Sequence, residues 1–188
     1  MSRENMDISF LLDIIKTRGV ALEIGGGEGH NTKVFCQSPI FTGVVEVDPF
    51  ELCWEDGDIN ETYIKPYPYK TWAQTVLPFL QSRRLVHIPK RSDDPTLFSN
   101  LINFTPITFA FLDGVQTEEN LLHELRLMDV LGAHVICLDD WTRVSDVCQV
   151  ESAAKKFLSE TNTYELHEVR NYSKNPNAGI KIGILTRK

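Results

Sequence analysis

Val20-Ala21-Leu22-Glu23-Ile24-Gly25-Gly26-Gly27-Glu28-Gly29-His30 is the stretch that decides how the chain is read. An apolar strand pattern, broken only by Glu23, runs into a turn with glycine at positions 25, 27 and 29. Glycine lets a backbone bend sharply and lets a ligand approach without meeting a Cβ atom. The segment therefore reads as a nucleoside-cofactor loop at the end of a buried strand. A dinucleotide fingerprint, G-x-G-x-x-G, uses its third glycine for close helix packing and points the helix N-terminus at a pyrophosphate. Counted from Gly25 that position is His30, so the pattern here is E-x-G-x-G-x-G. A ligand-free strand-to-helix turn would share the glycine content; the acids further along the chain favour the ligand.

Outward from this loop the pattern alternates. Ile8, Leu11, Leu12, Ile14 and Ile15 fall at helical spacing before Gly19, where a helix would stop. After the loop, residues 31–35 open a helix and residues 43–47 form a second strand, closed by Asp48 and Pro49. Residues 71–80 read as a helix, 84–88 as a third strand, 94–101 as a short helix and 107–112 as a fourth strand. Thr117 can cap the following helix, with Glu118 and Glu119 in its first turn and Leu121, Leu122, Leu125, Met128 and Leu131 on its buried face. Residues 133–138 make a fifth strand and 149–158 a helix, and residues 164–169 and 180–185 a closing pair of strands. Strands alternating with helices predict an α/β fold: a mostly parallel sheet with helices on both faces and a ligand crevice at the strands' carboxyl ends.

The 188 residues suit a single domain, 1–188, with one sizeable core. A net charge of −7 supplies no basic field for a phosphate backbone, so nucleic acid is not the expected partner. Cys36, Cys53, Cys137 and Cys148 form no C-x-x-C pair and read as reduced structural thiols, which fits the cytoplasm. No apolar run is long enough for a membrane span, and residues 1–7 have no signal-peptide pattern. Oligomeric state, monomer or homodimer, is open.

Asp48 ends the second strand about twenty residues beyond the loop, where nucleoside-binding α/β folds set an acid against the ribose hydroxyls. Glu46, on the same strand face two residues earlier, is the second choice. An ordinary turn aspartate before proline is the plain alternative. Asp113 ends the fourth strand, in Leu112-Asp113-Gly114, and Asp139 and Asp140 end the fifth, in Leu138-Asp139-Asp140-Trp141. Carboxylates gathered in one crevice repel unless protonated or bridged by a cation, and oxygen ligands favour a hard ion such as Mg²⁺ or Ca²⁺. Taken singly, Asp113 also suits a turn or cap, and Asp139-Asp140 a solvated strand end.

The E-x-G-x-G-x-G loop resembles motif I of the class I S-adenosylmethionine (SAM) methyltransferases. With L-D-G and L-D-D-W downstream, the chain resembles the metal-dependent small-molecule O-methyltransferases, nearest the macrocin and antibiotic-tailoring type and more distantly the catechol type. The similarity runs from about Val20 to Trp141. It implies a Rossmann-like, seven-stranded sheet with an antiparallel C-terminal strand. It also implies SAM held by Glu23, Gly25, Gly27, Asp48, Ser92, Asp93 and Asp113, with Glu23 near the methionine ammonium and the Ser92-Asp93 loop near adenine. A divalent cation, Mg²⁺ by preference, would sit on Asp113, Asp139 and Asp140, and the acceptor would be a small hydroxylated molecule.

The chain departs from that family where D-G-D becomes Asp113-Gly114-Val115, because valine cannot serve as a base. His30, Lys90 and Arg91 are the other polar residues able to reach the crevice, although each also reads as a solvated loop or helix-start residue. The aromatic and acidic stretch 51–72 reads either as a cover over an acceptor or as a solvated loop packed on the sheet, and Trp141 as a pocket wall or as core. Two alternatives stand beside methyl transfer: a non-catalytic SAM or nucleoside-binding module, and a nicotinamide-dependent oxidoreductase, which His30 in the fingerprint disfavours.

Overall fold

Six consecutive buried residues, Ile107-Thr108-Phe109-Ala110-Phe111-Leu112, form the central strand of the molecule, apolar on both faces as a strand covered by helices must be. The structure is a computed structural model that describes residues 9–50, 53–54, 64–65, 69–141, 149–171 and 181–188. In chain order the main elements are α1 (Ser9–Ile14), β1 (Gly19–Ile24), α2 (His30–Gln37), β2 (Phe41–Val47), β3 (Cys53–Trp54), β4 (Ile64–Lys65) and α3 (Tyr69–Gln81). There follow β5 (Leu85–Ile88), α4 (Leu97–Leu101), β6 (Ile107–Leu112), α5 (Glu118–Leu131), β7 (Val135–Leu138), α6 (Val150–Glu160), β8 (Tyr164–Asn171) and β9 (Lys181–Arg187).

Seven strands make one sheet in the order β5-β2-β1-β6-β7-β9-β8. The first five run parallel, and β9 is inserted antiparallel between β7 and β8. Strand order reverses between β1 and β6, the place where open α/β sheets leave a crevice at their carboxyl ends. The Rossmann-like architecture expected from the sequence is thus the one observed. Strands β3 and β4 form a separate antiparallel pair.

Alternation along each strand divides the core in two. One face of the sheet packs Leu22, Ile24, Val45, Val47 and Leu112 against α4, α5 and α6. The other packs Ala21, Val44, Phe109 and Phe111 against Leu11, Phe35, Trp72 and Val76 of α1, α2 and α3.

Local chemistry explains the element ends. Thr117 caps α5 by accepting from the Asn120 amide, and Gly132 closes that helix in the left-handed region at φ 75°. Gly19 has a different job from the helix stop read in the sequence: α1 ends at Ile14, and Gly19 opens β1. A Cβ there would lie 2.4 Å from Thr108 Cγ2. No helix among the described residues is long and apolar enough to cross a membrane.

Candidate functional site

The glycine loop leaves β1 at the centre of the sheet, and its own backbone chemistry fixes its course. Gly25, Gly27 and Gly29 take positive φ values of 90°, 53° and 78°. At Gly25 the need for glycine is absolute, since a Cβ would lie 2.3 Å from the Asp113 carbonyl oxygen. The loop is tied to strand ends on both sides: the Gly25 amide donates to the Val47 carbonyl (3.0 Å) and the Asp113 amide to that of Ile24 (2.8 Å). Asp48 completes the fastening. Its Oδ2 accepts from the Gly26 amide (2.9 Å) and its Oδ1 from the Phe50 amide (2.8 Å), with the side chain buried. Among the described residues a Cβ at Gly27 would have nothing within 4 Å.

Beneath the loop lies a row of polar side chains crossing three strands. Glu23 of β1 is in register with Glu46 of β2, and Glu46 with His87 of β5, all on the face covered by α2 and α3. Both glutamates are fully buried. Glu23 Oε2 accepts from Thr32 Oγ1 of α2, and Glu46 Oε2 lies 2.5 Å from His87 Nδ1. Among the described residues the second oxygen of each, Oε1, has no hydrogen-bond partner, although the Asn31 side chain also lies close enough to Glu23 to favour its carboxylate. A buried acceptor left open costs about 1–3 kcal/mol, more if charged, so two side by side mark a place prepared for donors.

Gly26 rests directly on one of these oxygens: a Cβ there would lie 1.7 Å from Glu46 Oε1. Burial, reinforced by the nearby Asp48 carboxylate, pushes the Glu46 carboxyl up to about 9, and burial raises Glu23 well above the usual carboxylate range. Burial holds His87 below its ordinary value. Burial thus disfavours the charged form of all three groups, and Glu46, at about 9, keeps its proton near neutrality. The His87 ring packs against both Phe50 and Trp72, at centroid distances of 4.7 and 4.9 Å, and those two rings also touch each other at 4.6 Å.

A second polar cluster lies on the opposite face of the sheet, under the loop that follows β5. Asn120 Nδ2 of α5 is 2.8 Å from Glu124 Oε1, 2.9 Å from the Val115 carbonyl and 3.1 Å from Ser92 Oγ. Glu124 is fully buried, its Oε2 has no partner, and burial pushes its carboxyl up to about 7. Ser92 is thereby held against α5, whereas Asp93 points outward and pairs with Arg91 (2.9 Å).

The remaining residues singled out from the sequence are dispersed. His30 is exposed, with Nε2 3.0 Å from Glu28 Oε2. Lys90 binds Asp94 at 3.3 Å and also the Thr96 hydroxyl, and Arg91 is held by Asp93. Neither His30 nor these two cations joins the buried row. Asp139 is buried, while Asp113 and Asp140 are half-buried and Asp140 turns into the left-handed region at φ 51°. Among the described residues no group of three or more His, Cys, Asp or Glu is placed to hold a metal ion, so the expected set Asp113, Asp139 and Asp140 finds no support in this structure.

Trp141 is core and not a pocket wall: it is 4% exposed, and a Cβ on Gly183 would fall 1.9 Å from its ring. Trp72 is likewise buried within α3, and most of the acidic stretch 51–68 lies outside the described residues. His87, Thr32, Asn120 and Glu124 were missed in the sequence. The row had a signal, because Glu23-Ile24-Gly25, Glu46-Val47-Asp48 and His87-Ile88-Pro89 repeat one arrangement of polar residue, β-branched residue and loop at three strand ends.

No protein-family model and no curated protein matches the chain. Solved structures do. An O-methyltransferase from Bacillus cereus in complex with S-adenosylhomocysteine (SAH) is 16% identical, with 95% of this chain and 78% of that one covered and a TM-score of 0.62. A Streptococcus mutans protein in complex with SAH is 11% identical over 96% of this chain and 94% of that one, at 0.60. The m1A22 tRNA methyltransferase TrmK of B. subtilis is 9% identical over 96% and 64%, at 0.56. At these identities the likeness defines the fold, which is that of the class I methyltransferases. Neighbours named for tRNA stand beside one named an O-methyltransferase, so the fold leaves the acceptor open.

Proposed function

We propose that this chain is a SAM-dependent methyltransferase acting on an oxygen of a small hydroxylated acceptor. The observation that carries the reading is the pair of buried, unpartnered oxygens, Glu23 Oε1 and Glu46 Oε1, lying under a glycine loop at the switch point of the sheet. Both are acceptors, and an adenosyl amino acid brings donors: two ribose hydroxyls and an ammonium.

Glu46 receives the ribose, and Asp48, whose oxygens already accept two backbone amides, holds the loop in position for it. Because Gly26 is seated on Oε1, a ribose hydroxyl bound there would have to displace it. Glu23, steadied by Thr32, faces the ammonium. Gly25 and Gly27 give the backbone its close approach, and Asp113 braces the loop floor through its main chain. Ser92, held by Asn120 and Glu124, borders the adenine, with Asp93 on the outer rim. When bound, SAM supplies a methyl group on a sulfonium, an electrophile open to in-line attack. The protein's share is alignment of the reactants. The charge of −7 favours a small acceptor over a nucleic acid.

A second reading, a SAM-binding module without turnover, is favoured by Val115, which is 46% exposed at the rim where the family resemblance implies an acidic base. The discriminating experiment follows SAH formation from SAM across small hydroxylated acceptors, with bulk tRNA in parallel. Turnover with a small hydroxylated compound supports the enzyme. Saturable SAM binding with no turnover supports the module, and turnover on tRNA alone overturns the acceptor class.

A further inference from the structure

His87 belongs to none of the sequence motifs, yet it is the sole direct partner that the described residues give the Glu46 side chain. Its Nδ1 lies 2.5 Å from Glu46 Oε2, a distance at which one proton lies between the two atoms. The imidazole is 15% exposed and the carboxyl fully buried, so the proton is screened from solvent. Glu46 Oε1, the other end of the same carboxyl, is unpartnered and rests against Gly26.

Resting on the reading of Glu46 as the ribose acceptor, we propose that His87 is a positioning residue that takes the Glu46 proton when the cofactor binds and returns it on release. In the free protein the Glu46 carboxyl donates its Oε2 hydrogen to the lone pair of His87 Nδ1, and both groups are neutral. When ribose hydroxyls reach Oε1, they favour a carboxylate, to which hydrogen bonds are about twice as strong as to a neutral acceptor. The Oε2–H bond then breaks and the Nδ1–H bond forms along the existing contact, leaving carboxylate and imidazolium. The proton count of the protein is unchanged.

The surroundings suit the transfer. The imidazolium would lie against the Phe50 and Trp72 rings, at 4.7 and 4.9 Å between centroids, within the range of cation–π attraction. Among the described residues the titratable groups facing the pair are Glu23 from β1, Asp48 from the end of β2 and Cys36 from α2, with Arg84 beyond the thiol; α3 contributes uncharged Trp72 and Val76. Burial keeps His87 neutral in the free protein, and the Asp48 carboxylate works against it by favouring a charged ring. Burial pushes Cys36 up to about 12, so the thiol stays neutral throughout.

Titration calorimetry with SAH, in two buffers of different ionisation heat near pH 7, counts protons released on binding. His87→Phe keeps an aromatic ring against Phe50 and Trp72 but cannot accept the proton, so Glu46 must give it to solvent. The variant is expected to release about one proton more than wild type, and its SAH affinity to rise about tenfold per pH unit between pH 6 and 8 relative to wild type. The response of Glu23 is common to both proteins and cancels in the difference. Equal proton release in the two proteins overturns the inference while leaving the cofactor reading intact; no SAH binding by wild type overturns both. Because the variant's folding is itself a risk, ¹⁵N NMR of labelled wild-type histidine tests the transfer independently. Nδ1 of His87 should change from an acceptor to a protonated nitrogen on SAH addition, and an unchanged signal refutes the transfer.

Discussion

Replacing Glu46 by glutamine should make the protein more stable at neutral pH and a worse binder of SAH, an unusual combination that tests the site's electrostatics. The Glu46 carboxyl sits at about 9 when folded and at an ordinary 4.5 when unfolded. Its proton therefore favours the fold fully below about pH 4.5, and that contribution is lost as pH rises toward 9. At pH 7 the unfolded chain gains roughly 3 kcal/mol by releasing the proton, at about 1.4 kcal/mol per pH unit. Glutamine has the same shape and no proton to release. Thermal unfolding should show the variant level with wild type near pH 4.5 and above it at pH 7, by roughly 6–12 °C at about 2–4 °C per kcal/mol. The same variant loses the charge-assisted bond to ribose, worth about 1–1.5 kcal/mol over a neutral one, so SAH affinity should fall about tenfold. Stability curves that stay parallel from pH 5 to 9, with SAH affinity unchanged, would refute the reasoning.

Other perturbations probe separate supports. Asp48→Ala strips acceptors from the Gly26 and Phe50 amides, so stability should drop by about 1–3 kcal/mol per orphaned amide and SAH binding should weaken in calorimetry. Gly25→Ala forces a Cβ to within 2.3 Å of a carbonyl oxygen at a φ of 90°, and should abolish SAH-induced thermal stabilisation even if the variant folds. Glu124→Gln should flatten the pH dependence between 4.5 and 7. The buried carboxyl, raised to about 7, favours the fold below pH 4.5, and roughly 3 kcal/mol of that is lost by pH 7; a denaturant series at three pH values measures it.

The fold was open to sequence reading because its signals are local and redundant. The run 107–112, apolar but for Thr108, has only a buried parallel strand to go to, and Thr117 with Gly132 frames α5 within one residue at each end. The site was legible in part. Glycine spacing marks the loop because few backbones need three positive φ values in five residues, and Asp48, singled out by its distance from that loop, accepts the loop's Gly26 amide. The proposed division of labour between Asp48 and Glu46 is not legible in the sequence, since it depends on which oxygen is already taken by a backbone amide. Glu124 lies between Leu121 and Leu125, on the apolar face of α5, and its burial follows from that placement. The metal set finds no support among the described residues: strand adjacency brings Cα atoms together but does not set the aim of side chains beyond the strand ends, where Asp140 turns into the left-handed region.

The central claim is that Glu46 and Glu23 hold their free oxygens for an adenosyl amino acid. A crystal structure with SAH measures this most directly. Ribose hydroxyls are expected within hydrogen-bond distance of Glu46 Oε1, with the amino group beside Glu23 and Gly26 lifted from the carboxyl. A ligand-soaked crystal with Gly26 still seated on Glu46 and the nucleoside elsewhere would contradict it.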